Sequence, residues 1–367
     1  LQDLKRQGLN RVNIIQSTAA YERWLGGIVE PVAEDTRLKH EVMRKDAFTF
    51  FRATFYCWAR LWQRLPEPIA AAPSVLGIGD CHVENFGTWR DREGRLIWGV
   101  NDFDEAALLP YTNDLLRLAV SALLARERGR LRTTPHNILA ALSLGYAAGL
   151  EHGGSPFVIE ERNSWLRQLA QRNLRAPDQY WAKLNALEPW PDPVPTTAAK
   201  FLHDVPRRAE LIKVVHRVSG AGSLGRPRLA ALFTWRGGYL AREVKALVPS
   251  AWVWARLGAT ATPKSVLPRV WRRAVRCHDP FLKVGHHWIA RRLAPDCSRI
   301  DLSQLPSRKQ ETALLRAMGW EIANVHCGSP NVGVVRQHLT ELPDHWLADA
   351  SDLMTSAIRD QFRIWRR

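Results

Sequence analysis

The stretch GDCHVENFG, residues 79–87, decides how this 367-residue chain is read. It is the densest polar cluster in an otherwise apolar setting, and it directly follows the short apolar run 75–79, which reads as a strand. A second cluster, NDFDE at residues 101–105, places Asp102 22 positions beyond Asp80. It too follows a strand-like run, because NFGTW and LIWGV flank a polar RDREG turn ending at Gly94 and together read as a hairpin. Acidic residues at strand ends are expected to converge on one edge of a sheet, where their repulsion must be offset by a cation. Mg2+ with oxygen ligands is the natural choice. Each of Asp80, Asn85 and Asp102 taken alone is explained as a turn or cap residue; two such clusters at two strand ends are harder to explain that way.

Outward from these clusters the first half of the chain is mainly helical. Asp114 is placed to cap a helix through LLRLAVSALLARER, and 3.6-residue periodicity covers 136–151 and 160–173. Residues 188–197, EPWPDPVPTT, carry prolines at alternate positions that forbid a helix or central strand, so a linker is expected there. After it the pattern changes to β: VVHRVSG, PRLAALFTW and YLAREVKAL, the last two joined at Gly237-Gly238, read as a three-stranded meander. A helix at 266–278, a strand HHWIARRL, a long helix at 310–326 and a helical tail at 342–367 follow. The fold class is α+β.

Composition narrows the function classes. With 52 Lys and Arg against 36 Asp and Glu the formal net charge is +16, which excludes an acidic solvating protein, and 46% hydrophobic residues suffice for a sizeable core. The most apolar segment, 138–150, falls short of the roughly 20 residues that span a bilayer, and 1–27 lacks a signal-peptide pattern, so no membrane partner is expected. Five scattered cysteines without a C-x-x-C pair point to a reducing, cytoplasmic setting and away from structural zinc. The cationic excess is mostly arginine, since the chain has ten lysines and none between Lys45 and Lys183. Positive charge attracts phosphate in any form, so nucleotides and nucleic acid both remain open as partners.

The order of the polar residues sharpens this. Asp80 and Asn85 are five apart, and the hairpin after them delivers Asp102, Phe103 and Asp104. Kinases use an Asp to orient the acceptor hydroxyl, an Asn five residues later for one Mg2+, and an Asp before Phe for Mg2+ on the nucleotide phosphates. GDCHVEN resembles the G-D-x-H-x-x-N loop of aminoglycoside phosphotransferases, Asn101-Asp102-Phe103-Asp104 is similar to their I-D-F metal motif, and Asp114 stands where they open the next helix. Kinases also need a glycine-rich loop between two strands and a lysine on the third. Ser219-Gly220-Ala221-Gly222-Ser223-Leu224-Gly225 joins the first two strands of the meander, and Lys245 ends its third, 20 residues after Gly225. These elements lie after the catalytic cluster rather than before it. Reading 200–367 and then 1–199 restores kinase order throughout, which amounts to a circular permutation.

The chain also resembles an uncharacterised bacterial family of unknown function marked by GD-x-H-x-x-NFG, NDFDE and a later G-x-GS-x-G. Its members share F-x-F-x-R, matched by Phe48, Phe50 and Arg52, and D-x-F-L-x-x-G, matched from Asp279 to Gly285. The kinase resemblance implies a bilobal, circularly permuted protein-kinase-like fold: a helical catalytic lobe at 1–198, a β-rich nucleotide lobe and hinge at 199–298, and helices completing the first lobe at 299–367. It implies ATP and Mg2+ as cofactors, with Asp80 and Lys245 catalytic, Gly220, Gly222, Ser223, Gly225 and Lys245 holding nucleotide, and Asn85, Asp102 and Asp104 holding metal. The departures are Ile78 in place of a histidine before Gly79, and no carboxylate between Glu243 and Asp279 to pair with Lys245. The expected activity is phosphotransfer to an unknown hydroxyl acceptor. Nucleotidyl transfer on the same fold, a phosphoesterase using Asp80-Cys81-His82, and an inactive scaffold binding RNA or another polyanion through its arginines and 16 tryptophans remain the alternatives.

Overall fold

A computed structural model describes residues 12–172, 176–258 and 265–367. The expected end of one helix at Asn173 lies outside the described residues. Among those described, ten strands build three sheets. In chain order they are β1 (Ser74–Gly77), β2 (Phe86–Arg90), β3 (Leu96–Val100), β4 (Ala107–Pro110), β5 (Phe157–Val158), β6 (Glu210–His216), β7 (Arg228–Trp235), β8 (Gly238–Ala246), β9 (Lys283–Val284) and β10 (Trp288–Leu293). β1 pairs with β4, the β2–β3 hairpin is extended by β5, and the remaining strands form one antiparallel sheet in the order β6-β7-β8-β10-β9.

The expected meander is therefore present, with β10 added beside β8. The two acidic clusters, however, do not share a sheet edge. Asp80 follows β1 and Asp102 follows β3, strands of different sheets that both pack against the helix Arg308–His326.

The large core is helical. The helix Arg308–His326 lies along the helix Pro135–Glu151 and buries Leu314, Leu315, Met318, Ile322 and Val325, each at most 2% exposed. Burying each such side chain contributes about 1.5–3 kcal/mol, so this pair anchors the helical core. The expected helix at 266–278 is shorter, Leu267–Arg273, because Ala274 turns extended (ψ 141°). Three helices not anticipated from the sequence, Thr196–Leu202, Ala251–Leu257 and Val332–Glu341, are too short to show a clear period, and the first begins within the last two residues of the expected linker.

The five-stranded sheet is covered on both faces, and period-2 alternation assigns its residues. On one face Leu229, Ala231, Phe233 and Val244 pack against Ala198 and Leu202 of the helix Thr196–Leu202. On the other, Ala230, Leu232 and Ala241 lie under Tyr180 and Leu184 of the helix Pro177–Asn185. That second face continues along the same strands into Arg228, Glu243, Lys245 and Arg291. The proline-rich segment runs along the edge of β6, where Trp190 N–H donates to the Val214 carbonyl at 2.8 Å and Pro189 bridges Val215. Its prolines suit an edge, where missing N–H groups cost the ladder nothing. No helix among the described residues is long and apolar enough to cross a membrane.

Candidate functional site

The loop after β1 is held from below by buried groups. Asp114 is not the cap of its helix, Tyr111–Glu127, but lies in its first turn, and its two carboxylate oxygens accept the backbone N–H groups of Ile78 (2.6 Å) and Gly79 (2.9 Å). His326, ending the long helix, places Nε2 2.9 Å from Asp114 Oδ2 and Nδ1 2.9 Å from the Tyr146 hydroxyl. Asn113 Nδ2 adds a bond to the Gly79 carbonyl at 3.0 Å. Gly79 has φ +84°, and a Cβ there would run into the Glu105 backbone, so only glycine fits.

This clamp aims Asp80. The Nε of Arg117, a fully buried side chain, donates to Asp80 Oδ1 at 2.6 Å. The Arg117 guanidinium lies over the rings of Phe51 and Phe55, at 4.0 and 4.8 Å from their centroids, and also bonds the Phe51 carbonyl. Asp80 Oδ2 is turned toward the glycine loop: a Cβ built on Gly222 would stand 3.4 Å from it. Burial pushes the Asp80 carboxyl above its ordinary range, and Arg117 offsets only part of that push.

Asn85 Nδ2 donates to the carbonyls of Asp80 (3.1 Å) and Asp102 (3.0 Å), tying the two clusters together, while its Oδ1 is buried without a partner. Lys245 Nζ lies 3.3 and 3.4 Å from the two Asp102 carboxylate oxygens and forms an ion pair with Asp104. Asp104 Oδ1 is likewise buried and unpartnered. Burial and then the charge of Asp102 push Asp104 up to about 6. For Asp102 burial acts in the same direction, but Lys245, then a hydrogen bond with Asp104 and the charges of Arg291 and Arg228 outweigh it and hold this carboxyl below its ordinary value. The carboxylate partner that no helix offers to Lys245 is thus supplied by the NDFDE loop itself.

The glycine loop closes over these groups. Gly220 has φ +77° and Ala221–Ser223 makes a short turn, so Gly220, Gly222 and Ser223 line one cavity with Asp80, Asn85, Asp102 and Asp104. Arg228 donates to Ser223 Oγ at 2.7 Å. Gly225 stands outside the cavity; its carbonyl accepts the Val32 N–H at 3.0 Å and so ties the loop to the helical lobe. Lys245 lies one layer behind the cavity, reaching it through the two aspartates. The cavity is about 50 Å³ and adjoins a second, about 140 Å³, lined by Ser219, Arg217, Arg291, Arg292 and Arg299.

Arg117 and Arg226 are among the arginines at the site that were not anticipated. Arg117, three residues after Asp114, had a legible signal, because an arginine inside the apolar run LLRLAV needs a buried acid. Arg226 had none: it pairs with Glu105 at 2.7 Å and bonds the Tyr21 hydroxyl at 2.8 Å, partners 121 and 205 positions away. Glu105 in turn accepts the Ala251 N–H at 2.6 Å, starting the helix after Lys245. Glu243, two positions before Lys245, is ion-paired with Arg217, Arg228 and Arg291, which together hold it well below the usual carboxylate range against the effect of burial.

Among the described residues no three His, Cys, Asp or Glu side chains gather as a ready metal site. The candidate set is of another kind, two carboxylates and an amide oxygen. Its two buried, unpartnered oxygens, Asn85 Oδ1 and Asp104 Oδ1, are the hard donors that Mg2+ takes, so the residues fit that ion.

A family model described as "Uncharacterized protein conserved in bacteria (DUF2252)" matches residues 32–156. That segment holds Arg52, both acidic clusters, Asp114 and Arg117, and ends before the glycine loop. No curated protein matches the chain, and no solved structure matches it.

Proposed function

We propose that the protein is an ATP- and Mg2+-dependent phosphotransferase with a circularly permuted, kinase-like arrangement of its two lobes. The observation that carries this is the meeting of two segments about 140 residues apart: Gly222 faces Asp80 Oδ2, and Lys245 pairs with Asp102 and Asp104. The glycine loop lies between the first two strands of its sheet and the lysine on the third, the placement that phosphate binding in kinases uses.

In this reading Asp80 orients the acceptor hydroxyl. Its Oδ1 is fixed by Arg117, which leaves Oδ2 to take the proton. The acceptor oxygen forms a bond to the γ-phosphorus of ATP as the bond from that phosphorus to the β,γ-bridging oxygen breaks. The products are a phosphate ester and ADP, and the proton passes through Asp80 to solvent. Asn85, Asp102 and Asp104 would hold Mg2+, which neutralises charge on the phosphate oxygens. In this reading Lys245, behind the two aspartates, serves as the cation for the α and β phosphates, and backbone N–H groups of 220–223 would approach the others.

A cavity of about 50 Å³ admits an ion and a few waters. Nucleotide entry therefore requires the 217–226 loop to lift, releasing the Val32–Gly225 bond and the closure over Asp80.

The test is calorimetric and thermal-shift titration with ATP and Mg2+ on the wild type and Asp102→Ala. Mg2+-dependent binding in the wild type that is lost in the variant is expected. A wild type that binds no nucleotide with Mg2+ present overturns the proposal. Release of pyrophosphate in place of ADP during turnover would replace phosphoryl by nucleotidyl transfer.

A further inference from the structure

Among the nitrogen-bearing side chains that line the cavity and have no part in the reaction above are Arg52, His82 and Arg299. They come from separate elements, the end of the helix Ala47–Ala53, the loop after β1 and the segment after β10. The other arginines around the site each have their own acid: Arg117 has Asp80, Arg226 has Glu105, and Arg228 and Arg291 share Glu243. Arg299 differs. Among the described residues its exposed side chain has no ion-pair or hydrogen-bond partner. Arg52 pairs with Glu84 at 2.5 Å, but that carboxylate is also bound by Arg130, and Arg52 Nε is buried without a partner.

His82 completes the group. Its Nδ1 accepts the Glu84 N–H at 3.2 Å, so in the neutral ring the hydrogen sits on Nε2. Burial and the charges of Arg52, Arg117 and Arg299 hold its pKa well below the ordinary value, which keeps the ring neutral. Protein packed around its guanidinium and then the charge of Arg52 lower Arg299 to about 10, although the residue keeps an exposed edge. The negative groups near this end are Glu84, already shared between two arginines, Asp80, held by Arg117, and Asp102, held by Lys245. Cations brought together with unused donors constitute a site for an anion, and a guanidinium fork suits carboxylate and phosphate alike.

We propose that Arg52, His82 Nε2 and Arg299 bind an oxyanion carried by the acceptor, so that the acceptor is a hydroxylated molecule bearing a carboxylate or a phosphate. The assignment to the acceptor rests on the phosphotransferase reading; the anion site does not. Binding at this end holds the acceptor hydroxyl beside Asp80 Oδ2, in the same cavity, and supplies selectivity that a neutral acceptor would not meet.

The experiment titrates the full chain by calorimetry with inorganic phosphate and with malonate, without nucleotide. Saturable binding of at least one is expected, weakened tenfold or more by Arg299→Gln and unchanged by Arg236→Gln, which removes the same charge elsewhere. The tighter of the two probes identifies the anion. No binding in the wild type, or equal weakening in both variants, overturns the site. The titration is repeated with Mg2+ and either ADP or a non-hydrolysable ATP analogue. Displacement of the anion by the analogue but not by ADP would mean that Arg299 grips the transferred phosphate, and the acceptor assignment falls. Anion binding in a protein that binds no nucleotide retires the phosphotransferase reading and leaves the site standing.

Discussion

Glu243 and Asp104 are both buried carboxylates, both within the influence of Lys245, and they are satisfied in opposite ways. Glu243 on β8 is surrounded by three arginines from β7, β10 and the end of β6, cross-strand neighbours whose spacing the sheet register dictates. Asp104, in a loop, shares Lys245 with Asp102, has Arg226 only at 4.0 Å, and keeps an oxygen without a partner. A saturated acid surrounded by excess cation has no capacity left for a ligand and serves to hold strands together. An acid short of cation is where a ligand can complete the set, at a cost borne by the empty protein. The same contrast separates Asp114, whose two oxygens are fully used within the fold, from Asp80, whose Oδ2 faces the cavity.

The largest effect expected from this contrast is on stability. Glu243→Gln leaves three arginines without their shared counter-ion and should cost about 3–5 kcal/mol in urea or thermal unfolding. A loss below about 1 kcal/mol would show that the cluster is not structural and break the comparison. Asp104→Asn should do the reverse. Its removal relieves repulsion with Asp102, so stability should change by less than about 1 kcal/mol or rise, while Mg2+ affinity, read by calorimetry, falls about tenfold or more. An Asp104→Asn protein that binds Mg2+ like the wild type removes this residue from the metal set.

The two acids also set pH dependences of opposite sign in metal-free protein. Asp104 is raised to about 6, so between its ordinary value near 4 and 6 the folded state binds more protons than the unfolded, and stability falls as pH rises through that window. Glu243 is held low, so its contribution is present above about 4.5 and is lost as pH falls toward its folded value. Unfolding measured in EDTA from pH 3 to pH 7 should show the first slope reduced in Asp104→Asn, the remainder belonging to other raised acids such as Asp80, while the acid limb remains. The smallest effect is expected from Gly222→Ala. A Cβ there would meet the Arg52 carbonyl at 3.0 Å and Asp80 Oδ2 at 3.4 Å, so stability should shift by no more than about 1 kcal/mol. Nucleotide affinity should drop a few-fold because the loop can no longer settle as closely.

The residues legible in the sequence were those whose geometry is set over short distances. Asp80 and Asn85, five apart in one loop, and Asp102 and Asp104, at a hairpin end, stand out by spacing alone, as do the glycine loop between two strands and the lysine ending the third. Asp114 was visible but its role was not. A helix-opening acid reads as a cap, whereas here Ile78 and Gly79, 36 and 35 positions earlier, take its oxygens. Arg299 gave no signal at all, because an arginine after a strand reads as solvated surface until the chain is folded around it.

The alternation of apolar residues determined which strands and helices form, since burial follows the period of the backbone whatever the distant partners are. The clustering of acids in two short loops determined that some cation must be accommodated, since like charges at that spacing cannot sit together unaided. Tertiary structure alone decided that Lys245 pairs with Asp102 across 143 positions, that Arg117 steadies Asp80, and that Arg52 and Arg299 line one cavity. Coulomb attraction and hydrogen bonding act at a few ångströms and are blind to separation along the chain, so which acid meets which base is settled by packing.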